Sequence, residues 1–183
     1  IKNCTFSFTN SWSLGHAIYM GPTSMDVYNC SFSNYEQELN WNDNDCIVYR
    51  GKIKKCLFFD NNQYAALDYA LIDSSIFSKS TVGPLFYTGM PLQITNSVFS
   101  QIQQPITQYD NYDAQTIFDN CTFDNNNILF NTNDANWHFS NCNFIQNGSA
   151  NNSNSISPIS AINNYWGHSS GPYHPTQNPT GQG

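Results

Sequence analysis

Apolar and polar positions along this chain fall into a six-residue phrase, aliphatic-x-Asn-Cys-x-Phe, that returns about every two dozen residues. Its copies are Ile1 to Phe6, Val27 to Phe32, Ile53 to Phe58, Ile72 to Phe77, Ile94 to Phe99, Phe118 to Phe123 and Phe139 to Phe144, with a variant from Ala161 to Trp166. Aligned, the copies make columns. The third position reads Asn3, Asn29, Lys55, Ser74, Asn96, Asn120, Asn141, Asn163, and the last reads Phe6, Phe32, Phe58, Phe77, Phe99, Phe123, Phe144, Trp166. Within a phrase the apolar residues alternate with period two, which predicts short strands with the aliphatic and aromatic positions inward. The Asn column falls at the bend between two strands, because Asn tolerates left-handed backbone and bonds to nearby main chain.

Successive aromatic positions lie 26, 26, 19, 22, 24, 21 and 22 residues apart. That interval suits one coil of a parallel β-helix and is too short for helical-hairpin repeats, which need about 33 residues. Short apolar segments before most phrases predict a further sheet: Ala17 to Tyr19, Ile47 to Tyr49, Ala65 to Leu67, Leu85 to Tyr87, Ile106-Thr107 and Ile128 to Phe130. The expectation is an all-β solenoid over residues 1–166, of about eight rungs, whose Asn3, Asn29, Asn96, Asn120 and Asn141 amides stack as a ladder at the strand spacing. Lys55 and Ser74 interrupt that ladder. Phe32, Phe58, Phe123, Phe144 and Trp166 belong to the aromatic stack beneath it.

Composition changes this picture in two places. Only 10% of residues are charged, and polarity comes instead from amides and hydroxyls; a net charge of −7 with six Lys or Arg disfavours nucleic acid and anionic membrane as partners. Five of the six cysteines share one column, Cys4, Cys30, Cys56, Cys121 and Cys142, so they read as buried free thiols and not as a disulfide framework or metal site. No run is apolar for long enough to span a bilayer. Sequons at Asn3, Asn29 and Asn120 coincide with the ladder and are expected to be inaccessible, which leaves Asn147 and Asn151, in an expected loop, as the glycosylation candidates.

Candidate chemistry is thin. A lyase of this architecture needs carboxylates around Ca²⁺ and a basic residue on one face. The alignment puts Lys52 over Asp26 and Lys54 over Asp73, which reads as cross-rung ion pairing. Carboxylate pairs suited to glycoside hydrolysis, Asp43 with Asp45, Asp110 with Asp113 and Asp119 with Asp124, have ordinary readings as turn residues or as neighbours split by inward side chains. No catalytic residue is assigned and no cofactor is expected, with Asp43 and Asp45 the one weak Ca²⁺ candidate. Trp12, Trp41, Tyr112 and Trp137 fall outside the inward columns and are the candidates for stacking on a glycan or a protein partner. Leu57, Ile76 and Val98 form a partly apolar outward strip.

Residues 161–182 contain Asn-Tyr-Trp-Gly, a short spacer and Gly-Pro. Together with the Ile-x-Asn-Cys-x-Phe repeats, this resembles right-handed parallel β-helix surface proteins of bacteria and archaea, departing from them at His168, where an acidic residue is common. The resemblance implies a right-handed solenoid closed by a cap over 167–183, an extracellular or cell-surface location, and adhesin-like relatives alongside polysaccharide lyases and hydrolases. The expected function is therefore a non-enzymatic structural or adhesive module, cut from a larger surface protein and partnered by its other domains or copies and by glycans. A carbohydrate-binding or carbohydrate-active β-helix and a subunit of a polymeric filament are the alternatives.

Overall fold

The computed structural model describes residues 1–7, 18–19, 25–34, 48–61, 67–81, 85–87, 92–104, 106–109, 115–132, 136–151, 159–172, 176 and 178–181. These residues contain strands and turns and no helix, and the strands stack in parallel as a β-solenoid.

One sheet has seven strands of three residues each: Thr5–Ser7, Ser31–Ser33, Leu57–Phe59, Ile76–Ser78, Val98–Ser100, Thr122–Asp124 and Asn143–Ile145. Their register brings every central Phe onto the next. Adjacent rings lie between 4.6 and 5.1 Å apart and within 12° of parallel, from Phe6 through Phe144. Trp166 continues the stack at 4.3 Å from Phe144. Ring separation follows strand separation, about 4.7–4.9 Å, so the aromatic column repeats with the backbone ladder.

The strands are short because left-handed residues bound them, on both sides in the six from Ser31–Ser33 to Asn143–Ile145. The Asn column has φ between 52° and 57° at all of Asn3, Asn29, Lys55, Ser74, Asn96, Asn120, Asn141 and Asn163. A second such column, two residues past each Phe, comprises Asn34, Asp60, Lys79, Gln101, Asn125 and Gln146. The sequence reading found the first bend and missed the second. At both corners the amide of the left-handed residue donates to the following rung, as in Lys55 N–H to Asp73 C=O and Lys79 N–H to Ser100 C=O.

The other sheet has twelve strands. Val48–Lys54 and Leu67–Asp73 each span its full width, pairing at their starts with Ile18–Tyr19 and Leu85–Tyr87 and at their ends with Met25–Tyr28 and Leu92–Thr95. Further along, the two halves are separate strands: Ile106–Tyr109, Ile128–Thr132 and Ser149–Asn151 on one side, Gln115–Asp119, Asn136–Ser140 and Ser160–Ile162 on the other. The expected extra sheet thus exists as strands but is continuous with the first half of each phrase.

Inside, Val27, Ile53, Ile72, Ile94, Phe118 and Phe139 fill the phrase-start column and are buried. Where that column turns aromatic, Phe118 and Phe139 stack on each other at 4.8 Å and meet Phe99, Phe123 and Phe144 edge-on at 66° to 75°. The core therefore changes from aliphatic-against-Phe to a two-column aromatic lattice along its length, with both arrangements at favourable ring geometries.

Candidate functional site

Trp137, expected to be exposed, is buried. It sits two residues before Phe139 in the strand Asn136–Ser140, so period-two alternation carries it inward, beside Phe118 at 5.4 Å. Its register partner Thr116 is small and also buried, which makes room for the indole. The column containing Leu92, Thr116 and Trp137 lies two residues ahead of the aligned phrase, and extending the alignment that far would have revealed it.

Asn147 lies between the strands Asn143–Ile145 and Ser149–Asn151, as expected, and its side chain is engaged. Its Nδ2 donates to the Phe123 carbonyl at 2.8 Å, and its Oδ1 accepts from the amide N–H and the side chain of Asn126 at 3.1 and 2.9 Å. Asn126 repeats the arrangement one rung earlier, donating to Phe99 C=O and accepting from Ile102 N–H, both at 3.0 Å. Asn61, buried with Asn126, donates to Phe32 C=O at 3.1 Å. These side chains occupy the position just after the second bend and bond main-chain groups of neighbouring rungs, Asn61 and Asn126 buried and Asn147 half-buried. The signal was present, since Asn recurs at 61, 126 and 147, but it falls outside the phrase. Asn151 lies in the strand Ser149–Asn151.

The first amide ladder forms in two segments. Asn29 Nδ2 donates to Asn3 Oδ1 at 2.8 Å, and Asn120 Nδ2 to Asn96 Oδ1 at 2.7 Å. Where Ser74 interrupts the amides, Asn96 turns to the Asp73 carboxylate at 2.8 Å; Asn141 turns in the same way to Asp119 at 2.9 Å. These Asn side chains lie on an exposed ridge, so the sequon residues Asn3, Asn29 and Asn120 are exposed, contrary to expectation, with the Nδ2 of Asn29 and of Asn120 held in the ladder.

Asp73 is a hub. Its Oδ1 accepts from Asn96, Thr95 and Ser74, and its Oδ2 lies 2.8 Å from Lys54 Nζ. The hydrogen bond from Asn96 and then the Lys54 ammonium hold its carboxyl far below the usual range, while Asp73 raises Lys54 in turn. Ser140 and then Asn141 do the same, less strongly, for Asp119. Both oxygens of Asp73 are thus engaged, and Asp119 Oδ1 accepts from Ser140 and Asn141 of the next rung. Lys52 stands in register with Asp26 as expected, and among the described residues the one salt bridge is Lys54 to Asp73.

The thiol column is Cys4, Cys30, Cys56, Cys121 and Cys142, all free, each donating to the carbonyl two residues before it. Ser75 and Ser97 fill the same place with stronger bonds, each also accepting the amide N–H of the rung before. Burial pushes the Cys56 thiol up, and the bond shared with Cys142, then burial, pushes Cys121 up further. Raised in this way, Cys56 and Cys121 are inert hydrophobes at neutral pH. Cys46 lies outside the described residues.

Trp12, Trp41, Tyr112, Asp43 and Asp45 also lie outside the described residues. Among the described residues no group of three His, Cys, Asp or Glu side chains is arranged to hold a metal ion. In the closing segment His168 Nδ1 is engaged by Ser170, while Asn178 Nδ2 donates to the carbonyls of Ser170 and Pro172 and so ties the segment to itself.

Two outward surfaces remain. Leu57 and Ile76, 38% and 43% exposed, continue through Val98 as an apolar strip on the short-strand sheet. On the wide sheet the strand Val48–Lys54 presents Lys52 and Lys54, with Lys55 at the bend that follows. Among the described residues no helix is long and apolar enough to cross a membrane. Compared with protein families, curated proteins and solved structures, the chain matches none.

Proposed function

We propose that this chain is a non-enzymatic, extracellular structural and adhesive module of a larger cell-surface or filament protein. In this reading the solenoid is a right-handed β-helix of about eight rungs, ended by the 167–183 segment as a cap. The observation that carries the reading is the unbroken aromatic column from Phe6 to Trp166, in which each rung stacks on its neighbours. A solenoid distributes its stability over such neighbour interfaces and so makes a stiff rod. Supporting it, the carboxylates of Asp73 and Asp119 have structural partners. The right-handed sense is the one that parallel crossover connections adopt in nearly all sheets.

The apolar strip of Leu57, Ile76 and Val98 favours one variant of this reading, a subunit that packs sideways in a filament. The test is a screen of the purified chain on a glycan array, with and without Ca²⁺, followed by mass analysis of oligosaccharides held with it. Binding without cleavage, or no binding with retained fold, fits the module. Shortened oligosaccharides would make it a carbohydrate-active enzyme and overturn the reading.

A further inference from the structure

The positive charge of this chain is segregated. All six Lys and Arg lie between residues 2 and 79, four of them between 50 and 55, and residues 80–183 contain none. The fold then concentrates them further. Lys52 and Lys54 point outward from one strand, two residues and about 6.6 Å apart along it. Lys55 follows at the left-handed bend and lays its ammonium over the Tyr28 ring of the rung before, 5.5 Å from the centroid. Lys2 bridges to Tyr28 from the other side, two strand spacings or about 9–10 Å from Lys54. Lys2, Lys52, Lys54 and Lys55 are all exposed. Around them lie the half-buried face of Tyr28, the exposed Leu71, and the hydroxyl and amide groups of Asn29, Thr95 and Asn96.

We infer that this lysine rung is a docking surface for an anionic polysaccharide, one whose carboxylate or sulfate groups are separated by sugar hydroxyls. The inference rests on the adhesive-module reading and names its ligand class. Charge complementarity supplies the attraction, since a local excess of cations in a chain of net charge −7 is a focused field. The carboxylates decide between polyanions. Asp26 and Asp73 interleave with the lysines, each one rung from Lys52 or Lys54. A nucleic-acid duplex, with a charge about every 1.7 Å, meets those carboxylates as well as the lysines. A polysaccharide places hydroxyl donors between its charges, and those donors suit the exposed Asp26. Tyr28 and Leu71 offer the flat and apolar contacts that sugar faces use.

The experiment is retention of the purified chain on immobilised heparin, hyaluronate, dextran and duplex DNA over a salt gradient, with mass analysis of the eluted glycan. The variant is Lys52→Gln with Lys55→Gln, which leaves the Lys54–Asp73 ion pair intact, and Lys79→Gln, on the short-strand side, is the control. Heparin and hyaluronate are expected to retain the chain at low salt and release it as screening rises, with dextran passing it through. The double variant is expected to bind about two- to thirtyfold more weakly, two exposed charge contacts each being worth about 0.2–1 kcal/mol. Its unfolding midpoint and that of the control stay at the wild-type value. Undiminished binding by the double variant, equal retention on dextran, or tighter retention on DNA than on heparin overturns the inference. Failure to bind with the fold intact overturns it too, and leaves the structural role standing. Lysine-dependent binding with shortened glycan would keep this surface and overturn the non-enzymatic reading.

Discussion

Asparagine does two different jobs in this chain, and burial separates them. On the exposed ridge, Asn29 and Asn120 add amide bonds that water also offers. Behind the second bend, Asn126 answers Phe99 C=O and Ile102 N–H where no water competes. Removing a partner from buried polar groups costs about 1–3 kcal/mol for each group left unsatisfied. Asn126→Ala is therefore expected to lower stability by several kcal/mol in a urea titration. Asn120→Gly, which keeps the left-handed backbone accessible and loses only surface bonds, is expected to cost under about 1 kcal/mol. Equal losses would contradict the distinction. Asn147, half-buried, repeats the bonding of Asn126 through Phe123 C=O and Asn126 N–H. Expression in a glycosylating host is accordingly expected to leave Asn147 unmodified, read by peptide mass.

At the scale of the strand, the unit is a three-residue segment held between two left-handed corners and centred on an inward Phe. Phe99 shows what that unit contributes: it is fully buried and stacked on Phe77 and Phe123. Phe99→Ala removes both stacks and opens a cavity that rigid rungs cannot close, an expected loss of about 3–5 kcal/mol. The corners bring in pH. The carboxyls of Asp73 and Asp119 are held below their ordinary range, so near and below about pH 4 the unfolded chain binds more protons than the folded one. Stability is therefore full above that pH and declines as acid titrates the two folded carboxyls. Asp73→Asn is expected to flatten this acid limb in melting curves recorded from neutral to acid pH. An unchanged limb would show that the hub contributes nothing.

The same elements show how far the sequence was legible. Strong periodicity revealed the aromatic column, the first bend and the Lys54–Asp73 pairing, because each depends on the residue type recurring at a fixed offset. The second bend was hidden by its chemistry: Asn34, Asp60, Lys79, Gln101, Asn125 and Gln146 share a backbone conformation but no side-chain class. Trp137 was misplaced because its column mixes Leu92, Thr116 and Trp137, and only a register shows that these stack. In a solenoid a position is defined by its neighbours one rung away, about two dozen residues distant in the chain, and local pattern sees only part of that.

At the scale of the molecule, these columns make one spine. The amides of Ser31, Leu57, Ile76, Val98, Thr122, Asn143 and Tyr165 each donate to the Cys or Ser carbonyl of the rung before, at 2.8–2.9 Å throughout. The proposed role as a stiff module depends on that spine acting as a unit, with the rungs coupled through their shared interfaces. Amide hydrogen exchange on the wild-type chain and on Phe99→Ala tests this directly. The account predicts slow exchange at all seven spine amides in the wild type, and in the variant a loss of protection that spreads from Val98 to Ile76 and Thr122 and on along the column. Protection lost at Val98 alone, with the neighbouring rungs unchanged, would contradict it.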